Sequence, residues 1–305
     1  MKIGLVGIDS SVEESNFLKI KDALGKNLHC LFSLQHDDLL PISEKYGVKL
    51  HSSSSDLFSA VDAVFFARSL KPNFENAIKA LKNNCHLFIE DISSLSIDET
   101  KQLFKVAFEA RAIIHIKQTK LFYPEYIELC DYIENPKLIE LNSDFNHLLR
   151  KQNYFIELFN RLCFADNITN SSVKRISTIA IPIDRNHFSL IQVRIDYDNG
   201  SFTNIKLNNL SSVRKDDLLI YQKDDFLNID FENHFAFINK LENGQIVRSE
   251  FNIENKNAFA IEIKYFIDLC KDIESENISE SPAILKTIQN TFLLMNQLDQ
   301  ILTKV

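Results

Sequence analysis

The N-terminal stretch MKIGLVGIDSSVEES holds the first residues whose types and spacing bear on chemistry. An apolar strand ends at Gly7 and a helical pattern follows. A strand, a glycine turn and a helix start make an anion cradle, because free backbone N–H groups and the positive end of the helix dipole face a phosphate. A dinucleotide-binding loop repeats the glycine at two further positions, so that backbone and pyrophosphate can approach closely and the helix can pack on the strand. Here Asp9 and Val12 stand at those positions, with Ser10 and Ser11 between them. A carboxylate about 4 Å from a phosphate costs about 4 kcal/mol at an effective dielectric of about 20, roughly three decades in affinity. Ser10-x-x-Glu13 and Ser11-x-x-Glu14 are both capping-box spacings, so this helix can satisfy its own free N–H groups. Two readings follow: a self-capped helix start, or a phosphate site built from unusual residues. Neither bars a ligand without phosphate.

The remaining reactive residue types are dispersed. Cys30, Cys85, Cys130, Cys163 and Cys270 form no C-x-x-C pair and read as reduced thiols. The eight histidines show no H-x-x-x-H or H-x-H spacing, so no metal site is expected. A net charge of -8 argues against a nucleic-acid partner, which normally needs a basic stripe. The start reads as a strand and no apolar run reaches the roughly 20 residues of a membrane span, so no membrane association is expected and the cytoplasm is the expected location. Only six glycines occur, which matters because glycine is what lets a backbone close on a phosphate.

At 305 residues the chain suits two moderate domains. Residues 1–120 alternate apolar strands (KIGLVGI, LHCLFSL, VKLHS, VDAVFFA, CHLFIED, AIIHIKQ) with amphipathic helices, which predicts a doubly wound α/β domain of Rossmann type around a parallel sheet. Residues 121–305 predict an α+β domain on a large, mainly antiparallel sheet, with terminal helices able to pack back on the first domain. Its long alternating strands are VKRISTIAIPI, FSLIQVRIDYDNGSFTNIKL and HFAFINKLENGQIVRSEFNI, with DNG and ENG as hairpin turns. The two KDD triplets, 215–217 and 223–225, read as solvated turns.

In its order and spacing of elements the chain resembles the Gfo/Idh/MocA family of sugar oxidoreductases. The resemblance lies in VDAVFFARSLKPNFENAIKALKNNCHLFIEDISSLSIDETKQLFKVAFEAR, where the family has a strand ending A-T-P, a helix, a strand ending E-K-P and an S-x-E-E helix. KLFYPEYIEL is similar to its R-x-x-P-x-[YF] segment, and AIEIKYFIDLCKDI with a long terminal helix to its ending. The resemblance implies NAD or NADP as cofactor, a small-molecule ligand between the domains, and a homodimer through the C-terminal sheet.

Carried over position by position, the resemblance assigns cofactor-binding places to Gly7, Asp9, Ser10, Ser11, Val12, Ser33, Arg68 and Glu90. Ser33 stands where strand two would end in a ribose-binding acid. Arg68 replaces the threonine of A-T-P and either holds an anion or pairs with a carboxylate. The catalytic places fall on Asp91, for the lysine of E-K-P, and on Arg150 and Tyr154, for the aspartate and histidine of D-x-x-x-H. Proton removal from an alcohol near neutral pH wants a group titrating nearby, which Asp at about 4 and Tyr at about 10 do not supply unshifted. Asp91 and Arg150 also read as a charge swap that would preserve an ion pair, against two unrelated surface charges. The expected function is therefore a family homologue with degenerate cofactor and catalytic sites that serves as a binding or interaction protein. The alternatives are an active NAD(P)-dependent oxidoreductase of a sugar, polyol or related small molecule, or a different reaction in the same cleft.

Overall fold

A computed structural model describes residues 1–8, 14–33, 36–69, 73–149, 151–254, 256–272 and 280–303. It divides into two compact units: Met1–Lys117 with Phe259–Lys286, and Gln118–Ala258 with Thr287–Val305.

The first unit is a six-stranded parallel sheet built from β1 (Ile3–Val6), β2 (Leu28–Phe32), β3 (Lys49–Leu50), β4 (Ala63–Ser69), β5 (His86–Asp91) and β6 (Ile114–Ile116), in the order β3-β2-β1-β4-β5-β6. The middle strands are apolar throughout because both faces are covered. On one face Ile3, Leu5, Phe65 and Phe88 pack against α1 (Glu14–Leu24), α2 (His36–Tyr46) and α8 (Ala258–Lys271). The side opposite holds α3 (Ser54–Ala60), whose Leu57 would collide with a side chain at Gly4. Two further helices, α4 (Phe74–Lys82) and α5 (Ile97–Ala110), follow β4 and β5. The start of α5 is set locally: Ser96 and Glu99 close a full capping box on each other's backbone N–H groups.

The second unit opens with α6 (Pro124–Cys130) and contains an eight-stranded sheet. Its strands are β7 (Leu138–Asp144), β8 (Val173–Pro182), β9 (Phe188–Tyr197), β10 (Phe202–Asn208), β11 (Lys215–Tyr221), β12 (Asp225–Asp230), β13 (Phe235–Glu242) and β14 (Gln245–Phe251). The order is β14-β13-β12-β11-β7-β10-β9-β8, antiparallel at every junction except the parallel β7–β10 pair. One face packs on α7 (Lys151–Thr169) and α9 (Glu280–Leu302): Ile139, Leu141, Ile205 and Leu207 meet Leu158, Leu162, Leu294 and Leu298. The alternation of apolar and polar residues along β7 and β10 is what makes the sheet one-sided.

One expectation is corrected. The KDD triplet at 215–217 is not a solvated turn but the start of β11, between β12 and β7, and Asp217 is buried. The charges divide by position along the strand: Lys215 stays exposed, whereas Asp216 and Asp217 are taken into the sheet's surroundings and paired with Lys120 and Lys215.

Candidate functional site

In an open parallel sheet, ligands bind beyond the carboxyl ends of the strands, where the strand order reverses. Here that point lies between β1 and β4, since the chain leaves β1 towards β2 and β3 and returns on the other side to β4, β5 and β6. Gly7 follows β1 with φ +91°, and a Cβ at this position would stand 2.4 Å from the carbonyl oxygen of Ala67. The tight turn and the close approach of β1 to β4 both demand glycine. Asn73, buried just ahead of α4, has its Nδ2 3.4 Å from the same point.

Around this edge the other expected residues take definite places. Ser33, directly after β2, is buried and offers a hydroxyl where a ribose-binding site has a carboxylate. Glu90 at the end of β5 accepts from Lys117 Nζ at 2.5 Å. Lys117 follows β6, is held beside β5 by its backbone N–H on Ile89 O (2.9 Å), and lies 4.9 Å from the ring centroid of Phe259. Asp91 accepts the backbone N–H of Ser93 through Oδ1 at 2.7 Å, a local turn-closing bond. The positions Asp9, Ser10, Ser11, Val12 and Arg150 lie outside the described residues, as does the side chain of Arg68. The expected Asp91–Arg150 pair therefore falls there too.

Beneath the same unit, His115 Nε2 and Glu262 Oε1 meet at 2.9 Å, both buried, and tie β6 to α8. His115 also packs on the ring of Phe88, 5.0 Å between centroids.

Within the second unit, Tyr154 is a core residue. Its hydroxyl accepts the backbone N–H of Phe188 (3.1 Å) and Nδ2 of Asn209 (2.9 Å), with no exposed surface. Burial pushes the phenol up from its ordinary value, away from neutrality. Placed at the position of the family's acid–base histidine by resemblance, Tyr154 instead fastens α7 to the start of β9. Its ring is enclosed because it lies on the helix face that packs against the sheet.

A second cluster, on α7, has no signature in the sequence. Arg161, almost fully buried, binds Glu157 one turn earlier, the hydroxyl of Ser143 on β7, and Asp216 on β11 (3.3 Å). Asp216 also accepts from Lys120 and from Ser143 (2.9 Å). Burial pushes the carboxyls of Asp216 and Glu157 up, but the two neighbouring cations outweigh it and hold both below the usual carboxylate range. Two cations and two anions satisfy one another, the condition under which charges persist inside a protein. Their spacing along the chain, residues 120, 143, 157, 161 and 216, carries no pattern that a sequence reader could use.

Residues 1–118 match the family described as "Oxidoreductase family, NAD-binding Rossmann fold" (GFO_IDH_MocA). No curated protein matches the chain in sequence. Solved structures match over nearly the whole length. UDP-N-acetylglucosamine 3-dehydrogenase GnnA from Acidithiobacillus ferrooxidans is 17% identical with a TM-score of 0.85, covering 99% of each chain. A dehydrogenase (MviM) from Clostridium difficile is 15% identical with a TM-score of 0.80, covering 97% of this chain and 99% of the other. Biliverdin reductase from Synechocystis, solved with biliverdin and NADP+, is 12% identical with a TM-score of 0.71, covering 97% and 98%. At these identities the likeness is one of fold. Among the described residues no helix is long and apolar enough to cross a membrane. Through its first 118 residues, the chain is similar to the Gfo/Idh/MocA oxidoreductase family with its NAD-binding Rossmann fold.

Proposed function

We propose that this protein binds a small molecule at the carboxyl edge of its N-terminal sheet without transferring hydride, acting in the cytoplasm as a homodimer joined through the C-terminal sheet. The observation that carries this reading is Asp91. At the place of the E-K-P lysine it presents a carboxylate already engaged by the Ser93 N–H. Tyr154 supports it, because a phenol sealed in the core with a raised pKa has no route to a substrate proton. The described residues fit a dinucleotide poorly: Gly7 keeps the close turn, but Ser33 provides no carboxylate for a ribose.

A second reading, an active NAD(P)-dependent oxidoreductase of a sugar, polyol or related small molecule, is favoured by one feature. Lys117 on Glu90 places an ammonium one strand away from the position that lost its lysine. Calorimetric titration with NAD(H) and NADP(H) separates the two readings, and suits a chain without Trp. Absence of heat up to millimolar dinucleotide supports the binding reading, whereas micromolar affinity for either sinks it and turns the search to oxidisable sugars and polyols.

A further inference from the structure

We propose that β14 is the edge through which two copies of this chain pair, forming one continuous antiparallel sheet across a two-fold axis; this rests on the homodimer reading above and names its surface. Among the described residues the two sheets have four edges, and three are protected in the ways edge strands usually are. β3 has two residues and β6 three. β8 carries Lys174, Arg175 and Pro182, and its register breaks between Val173 and Arg175 and again between Ile181 and Pro182. β14 has neither brevity nor a break: it runs seven residues in unbroken register with β13, without lysine, proline or bulge, and its two charges, Arg248 and Glu250, are of opposite sign. It is exposed on both faces, with Ile246 75% and Val247 41% accessible, and Leu241 opposite Ile246 54% accessible. Its outer side leaves a row of backbone donors and acceptors that a further strand would pair.

The occupant follows from the strand's own sequence. Asn243 and Gly244, both at positive φ, make a two-residue turn between Glu242 and Gln245. In such a hairpin the turn-flanking pair exchanges both backbone bonds, so residues 245, 247, 249 and 251 face β13. The N–H and C=O groups of Ile246, Arg248 and Glu250 then point off the edge. A two-fold axis normal to the sheet keeps each face on its own side, so an antiparallel self-pairing must be centred on a residue. Centring on Arg248 sets arginine against arginine, and centring on Glu250 sets glutamate against glutamate. Centring on Ser249 sets Arg248 of each copy opposite Glu250 of the other and Val247 opposite Phe251, and only this register has its charges matched. Arg248 is already arranged for it, lying 3.8 Å from the ring centroid of Phe237 and bonded at 2.9 Å to Glu250 of its own strand. Ser249 faces its symmetry mate at a non-hydrogen-bonded pair, where the backbones approach most closely.

The test uses the full chain in a Cys130→Ser background, since Cys130 is an exposed thiol. Sedimentation should show a dimer, and Ser249→Cys should form an interchain disulfide on mild oxidation. R248E and E250R should each weaken the dimer roughly tenfold and R248E/E250R should restore it, with the circular dichroism and urea midpoint of each single variant matching the parent, so that the loss is of association and not of the strand's own Arg248–Glu250 pair. A dimer that ignores both single reversals and leaves Ser249→Cys uncross-linked overturns the edge and keeps the homodimer on another surface, such as the broad sheet face. A monomer at all concentrations overturns both.

Discussion

Gly7 and Ala67 stand so close that a Cβ on Gly7 would lie 2.4 Å from the Ala67 carbonyl oxygen, with the Gly7 backbone at φ +91°. The contact joins the ends of β1 and β4, the two strands flanking the reversal of strand order. Gly7→Ala adds a positive-φ penalty to a clash with backbone, which no side-chain movement relieves. We expect a loss of at least about 2 kcal/mol, measured as a fall in the urea midpoint with unchanged slope. A stability within error of the parent would show that the turn tolerates a side chain.

Tyr154→Phe deletes the acceptor used by the Phe188 N–H and by Asn209. Leaving those buried donors unpaired costs about 1–3 kcal/mol. On the binding reading the variant keeps its affinity for any ligand of the N-terminal sheet. A normal urea midpoint combined with lost ligand binding would assign the hydroxyl to function instead.

Asp216 holds two cations at once, so Asp216→Asn leaves Lys120 and Arg161 with Glu157 as their remaining carboxylate in the cluster. Breaking a buried pair from one side costs about 3–5 kcal/mol. Differential scanning calorimetry of the variant should show a clear drop in Tm. An unchanged Tm would mean that water reaches the cluster and screens it.

The same cluster fixes a pH dependence. Asp216 and Glu157 have folded-state pKa values held below their unfolded ones. Their contribution is therefore fully present above an unfolded pKa of about 4 and lost as the pH falls through the depressed folded values. Unfolding free energy measured from pH 6 downward should drop below about pH 4, and Asp216→Asn should flatten that acid limb. An equally steep limb in the variant would place the titrating groups elsewhere.

Lys117 and Glu90 form a partly exposed pair, their side chains 31% and 26% accessible. Such pairs contribute at most about 1 kcal/mol, so Lys117→Met should barely move the urea midpoint. A large destabilisation would make Lys117 a structural residue and remove the observation favouring an active enzyme.

The sequence by itself determined the local elements and the class of the first domain. KIGLVGI and VDAVFFA carry near-continuous apolar runs, so they had to be strands covered on both sides. The ENG turn likewise announced the last hairpin, because Asn and Gly accept positive φ at low cost. Tertiary structure decided everything that depends on which distant side chains meet. KDD at 215–217 has the composition of a turn, yet β7 and β12 close over it, and Asp216 becomes the centre of a buried charge cluster whose partners lie up to 96 residues away in sequence. Tyr154 occupies a helix position that the resemblance reads as catalytic, but the face it shares with Leu158 and Leu162 turns it into the core. Lys117 meets Glu90 only because β5 and β6 are neighbours in the sheet. Periodicity reports which face of an element is apolar; it carries no information on which charged groups from separate elements will be brought together, since that pairing is fixed by the packing of the whole domain.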